Sequence, residues 1–225
     1  MFLTLDPLYW LLIIFSTLLG MGTQAYIRST YKKWSVVPSG LGQTGAQMAR
    51  RMLDQGGATE CGIGRIAGTL TDNYDPRSNC LNLSSDNYSG GSVASVAVAC
   101  HEAGHAVQTA NGYIFGRFRT ALVPVVNFAQ GTWVLVFFAG VMFRMAGLIQ
   151  CAIILFAFSV VFQLVTLPVE IDASRRAIKF LADSGSEVDH QGAKQVLIAA
   201  ALTYVAGALV SIANLLYLVS RTQRR

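Results

Sequence analysis

Four apolar runs, each long enough to cross a bilayer as a helix, constrain this chain more than any other feature. They cover about 7–27, 121–143, 147–168 and 196–219. Spanning the hydrocarbon core takes roughly 20 apolar residues in a helix. A chain of 225 residues is too short to cover four such helices in a water-soluble core. Charged residues make up only 13% of it, about half the usual share for a soluble domain. The expected fold class is mainly α, a helical membrane protein held in a lipid bilayer.

Basic residues orient the spans. The first run has no Lys or Arg before it and no small-residue cleavage site, so it reads as an anchor rather than a cleaved signal. Arg28, Lys32 and Lys33 follow it, which places residues 28–120 in the cytoplasm by the positive-inside rule. Alternate crossings bring 169–195 to the same side, with Arg175, Arg176, Lys179 and Lys194. Four full crossings leave the basic tail after Arg221 outside, against the rule. The expected organisation is an anchor (1–27), a cytoplasmic part (28–120), a transmembrane pair (121–168), a further helix (169–195) and a C-terminal apolar helix with its tail (196–225). The expected location is the inner cell membrane, as a multi-pass protein. The net charge of +5 is spread along the loops with no dense basic block, which argues against a nucleic-acid partner. Cys61, Cys80, Cys100 and Cys151 show no C-x-x-C pairing and are expected to be free thiols in a reducing compartment.

The stretch between the first two spans carries the chemistry. A helix is expected at about 44–55, with Thr44 as N-cap and Met48, Met52 and Leu53 on one face. Two strands at about 63–70 and 79–83, around Asp75-Pro76, suggest a small β-hairpin. A second helix is expected at about 93–110, capped by Ser92 and stopped at Asn111-Gly112.

That second helix contains "CHEAGHA", residues 100–106. His101 and His105 are one turn apart on one face, along with Gln108, and Glu102 sits about 100° round from His101. The pattern suits two imidazole ligands to zinc with a carboxylate beside them as general base. A pair of core histidines would show the same spacing. However, the surrounding helix is small and apolar, and burying two imidazoles and a carboxylate there is costly unless something pairs them. Gln108 and Asn111 stand where a metzincin needs Gly and His, so that class is excluded. On the cytoplasmic side downstream, Glu170, Asp172, Glu187 and His190 remain open as a third ligand. Cys100 reads as packing, because neighbours on a helix diverge.

Several further stretches resemble one family along nearly the whole length: "LTDNYDPR", "VAVACHEAGHAVQ", "RTALVPVVNF", "FQLVTLPVEIDASRRA" and "AALTYVAGAL". The chain resembles the YugP-like neutral zinc metallopeptidases, bacterial membrane proteins similar to the gluzincins. The resemblance implies one zinc ion per chain, held by His101, His105 and Glu170, the third ligand lying on the 169–195 helix. It also implies a departure: Ser174 stands where the wider gluzincin pattern E-x-x-x-D has an aspartate that orients a ligand histidine. Asp172, roughly 200° round the helix from Glu170, is expected to point away from the metal.

The implied reaction is peptide-bond hydrolysis, with Glu102 moving the proton of a water that zinc acidifies. The substrate is then a peptide or protein, expected to pair with the strand "NCLNL" as an added β-strand. Tyr74, Arg77 and His190 are candidate oxyanion donors. Other classes leave different marks. A zinc transporter would carry ionisable groups inside its spans, but these offer amides such as Asn127, Gln130, Gln150, Gln163 and Asn214. A scaffold with structural zinc would supply four protein ligands. A site-2-type intramembrane protease would carry the metal helix as one of its spans, whereas here it lies between them.

Overall fold

The computed structural model describes residues 6–185 and 189–223. In chain order the elements are α1 (Pro7–Ser35), α2 (Gly45–Gln55), β1 (Gly62–Ile66), β2 (Asn73–Asp75), β3 (Cys80–Ser84), α3 (Ser85–Ser89), α4 (Val93–Ala110), α5 (Ile114–Met142), α6 (Ala146–Asp183) and α7 (His190–Gln223). The protein is mainly α with one small sheet. Helices α1, α5, α6 and α7 are long and apolar enough to cross a membrane.

All four long helices are longer than the apolar stretches read from the sequence. Helix α6 includes Pro168, although proline removes one backbone hydrogen bond to the preceding turn. Side chains support the backbone there. The Thr166 hydroxyl donates to the Phe162 carbonyl at 2.8 Å, and the Tyr113 hydroxyl to the Pro168 carbonyl at 3.4 Å.

The chain divides into two compact units. The first comprises residues up to Thr23, Phe118–Leu167 and those from Thr203 onward. Leu11, Leu18, Phe128, Leu135 and Phe138 are exposed on it, an apolar exterior suited to lipid. Inside, Trp133 packs on Phe156 with ring centroids 4.9 Å apart, and Phe137 packs with Ile149 and Ala152. Arg144, with φ 57°, turns the chain between α5 and α6. Asp6 accepts a 2.7 Å hydrogen bond from Tyr217 and an ion pair from Arg221. The start of α1 and the end of α7 are therefore adjacent.

The second unit, Gln24–Arg117 with Pro168–Leu202, holds the motif helix. Thr44 caps α2 in a reciprocal box: Gln47 N–H donates to Thr44 Oγ1 at 3.3 Å, and Thr44 N–H to Gln47 Oε1 at 2.9 Å. Helix α2 packs on α4 through small residues. A Cβ on Gly45 would lie 2.1 Å from the Asn87 carbonyl and 2.8 Å from that of Ser95, so only glycine fits there. Met48, Leu53, Val93, Val96 and Cys100 fill the resulting core.

The sheet departs from the expected pairing. Its order is β1-β3-β2, with β1 parallel to β3 and β2 antiparallel to it. The hairpin is formed by β2 and β3 around the turn at Asp75-Pro76, while β1 joins from the other side. Leu81 and Leu83 are fully buried, which draws β3 into the centre. A short helix, α3, also forms in a stretch that reads as loop. Asp72 holds its start, accepting from the Ser84 and Asn87 nitrogens, each at 2.8 Å.

Candidate metal centre

Helix α4 begins and ends where its sequence says it should. The Ser92 side chain accepts from Ser95 N–H at 3.1 Å. At the other end Asn111 caps the helix, and Gly112 takes a left-handed φ of 64°. Between these caps, small side chains let neighbours approach closely. A Cβ on Gly104 would meet the Ala173 carbonyl oxygen at 2.8 Å. The glycine inside the H-E-x-x-H pattern is therefore what lets α6 lie directly against α4.

That approach brings Glu170 to the histidines. His101 and His105 are 9% and 8% exposed and Glu170 only 2%. One carboxylate oxygen, Glu170 Oε2, lies 3.3 Å from His101 Nε2 and 3.5 Å from His105 Nε2. A ligand atom from each of the three residues falls within 4.8 Å of the others. The rings stand nearly perpendicular, at 83°, with centroids 4.8 Å apart. A tetrahedron with metal–ligand bonds of about 2.05 Å has an edge of about 3.3–3.4 Å. The two donor separations at Glu170 match that edge, and the nitrogen, nitrogen, oxygen donor set suits zinc.

Each imidazole is held from behind. The Ser174 hydroxyl lies 3.2 Å from His101 Nδ1, and Gln108 Oε1 lies 3.1 Å from His105 Nδ1. The Thr109 hydroxyl bonds the His105 carbonyl at 3.1 Å. Burial pulls the His105 pKa down, but the hydrogen bond His105 donates to Glu170 and the charges of Glu102 and Glu170 outweigh it and hold it above its ordinary value. In the absence of metal this favours a charged His105, so protons and metal compete for it. Burial pushes the Cys100 thiol well up, which suits packing rather than ligation.

Other candidates lie apart from the three donors. Glu102 is half-buried and is not one of the converging groups. Asp172 is outside the cluster but is not idle, since it accepts from Gln108 at 2.8 Å and from Arg176 at 2.6 Å. Tyr74 donates to Asn79 at 3.0 Å. Arg77 N–H is taken up by Asp75 in the turn, at 2.9 Å. His190 opens α7. Among the described residues, none of these last three bonds to the cluster. Glu187 falls outside the described residues. The strand expected to receive substrate, "NCLNL", is β3, and both of its edges are already paired. It cannot accept another strand.

The chain belongs to the family described as "Putative neutral zinc metallopeptidase", which it matches over residues 9–223. It is similar to "Putative membrane protease YugP" of Bacillus subtilis (strain 168), with 42% identity over 215 residues, 93% of this chain and 96% of the relative. No solved structure matches it. The apolar helices and the family agree on a zinc metallopeptidase of membrane character.

Proposed function

We propose that the protein is a membrane-embedded, gluzincin-like zinc endopeptidase with one zinc ion per chain, held by His101, His105 and Glu170. The observation that supports this reading is the convergence of three buried donors, with Glu170 Oε2 lying from each histidine Nε2 at about the edge length of a tetrahedral zinc site. Three protein ligands rather than four is the pattern of a catalytic zinc, which keeps one position for water or substrate.

Bound zinc would supply Lewis acidity, making a water nucleophilic near neutral pH and polarising the scissile carbonyl. The remaining work falls to the chain. Glu102, next to His101 and half-buried, is the base that takes the proton of the attacking water. Its conjugate acid then delivers that proton to the leaving amine. Gly104 keeps α6 close enough for Glu170 to complete the set.

Purified full-length protein in detergent is expected to hold about one zinc per chain and to cleave an unstructured protein or peptide. Chelation should abolish cleavage and added zinc restore it. Cleavage that survives complete removal of the metal would refute the proposal.

The site is placed on the cytoplasmic face of the inner membrane, a reading supported by Lys32, Lys33, Arg175 and Lys179 beside the apolar runs. In a chain whose native cysteines are replaced by alanine, Ser35→Cys and Ser184→Cys should resist an impermeant thiol reagent in intact cells. Labelling of both from outside would invert this topology.

A further inference from the structure

Gln108, one turn beyond His105 on α4, has the most constrained amide around the cluster. Its nitrogen donates to the Val169 carbonyl and to Asp172 Oδ2, both at 2.8 Å. An amide nitrogen carries two hydrogens, so both are committed. Exchanging nitrogen and oxygen would turn lone pairs against two acceptors, so the amide cannot flip. Gln108 Oε1 must then face His105 Nδ1, at 3.1 Å.

The tautomer follows from that orientation. An amide oxygen only accepts, so His105 Nδ1 carries a hydrogen in either charge state, and Nε2 is the nitrogen whose lone pair a metal would take in place of a proton. Nε2 is the nitrogen lying 3.5 Å from Glu170 Oε2. The carboxylate that fixes Gln108 is itself fixed, because Arg176 Nε donates to the same Asp172 oxygen at 2.6 Å. His101 has no equivalent lock. Its Nδ1 faces the Ser174 hydroxyl at 3.2 Å, a group that can donate or accept.

We propose that Gln108 and Asp172 are positioning residues of the metal centre: the chain Arg176–Asp172–Gln108 fixes His105 in the Nδ1–H tautomer and aims its Nε2 at the metal position. The inference rests on reading the three donors as a zinc site. It gives Ser174, which stands where the wider gluzincin pattern has an aspartate, a counterpart. The missing negative charge is supplied at the other histidine, through an amide and from Asp172. Groups that orient ligand histidines in this way fix ring geometry and raise ligand basicity.

The test uses full-length protein in detergent with Glu102→Gln as parent, so that turnover plays no part. Gln108→Met keeps the side-chain length and removes the acceptor. It should weaken zinc about 10- to 100-fold in competition with a chelator, the usual effect of losing such a partner. The chain has three histidines, so ¹⁵N-labelled histidine gives a simple spectrum, in which the hydrogen-bonded Nδ1–H of zinc-loaded His105 should shift or exchange. Asp172→Asn should move both readouts in the same direction by less. If Gln108→Met keeps the parent melting temperature, zinc affinity and His105 signals, the relay is overturned while the zinc site stands. If Gln108→Met does not fold, Asp172→Asn decides, and parent-like affinity and spectrum there overturn the relay. A parent that binds no zinc removes the site reading itself, and the relay with it.

Discussion

Replacing Glu102 with glutamine is expected to leave zinc in place and slow peptide hydrolysis about 10²- to 10⁴-fold, the usual cost of losing a general base. The amide has nearly the same shape but can neither take the water's proton nor return one to the leaving amine. The three converging donors do not include Glu102, which is why metal content should be unaffected. Measuring zinc and turnover on the same purified sample separates the two roles. Full turnover with stoichiometric zinc would remove Glu102 from the reaction. Loss of zinc along with activity would instead make it part of the metal's coordination.

Glu170→Ala should have the opposite signature, losing the metal first and activity as a consequence. Its Oε2 is shared between both histidine Nε2 atoms, at 3.3 and 3.5 Å, and it supplies the only charged donor of the three. Removing it leaves two neutral imidazoles. The loss of zinc affinity should exceed the roughly 10- to 100-fold that supporting groups contribute. Asp172→Ala is a graded comparison: its carboxylate reaches His105 only through Gln108, so its effect should be smaller. If Glu170→Ala retains full zinc while Asp172→Ala loses it, the ligand assignment is wrong.

The parts of this molecule that follow local rules were legible in its sequence. The caps at Thr44, Ser92 and Asn111 and the spacing of His101 and His105 depend on residues within a few positions of one another. The apolar runs were equally plain, but their ends were not. Helix α6 passes through Pro168, and a proline read alone signals a stop. The sheet was misjudged because β1 pairs with β3 in parallel, between segments separated by the whole of β2. Runs of five residues such as Gly62–Ile66 carry no mark of their partner. In the site, Gln108 was visible as a neighbour on the histidine face, yet no motif assigns an amide at that position. Its role appears only when Val169 and Asp172 arrive from a distant helix. The glycine of the motif has the same character: Gly104 matters because of Ala173, which no spacing rule connects to it.

The separation of His105 from Glu170 has a bearing on how the protein is made. Residues 101–105 leave the ribosome before either apolar helix that separates them from residue 170. A chain interrupted at the α5–α6 turn already carries the complete H-E-x-x-H segment but lacks the third donor. Under the proposed assignment, the three donors can first meet when synthesis has passed through two long apolar helices, α5 and the first part of α6. The proposed metal site is thereby withheld from the chain until its second and third apolar helices have been made.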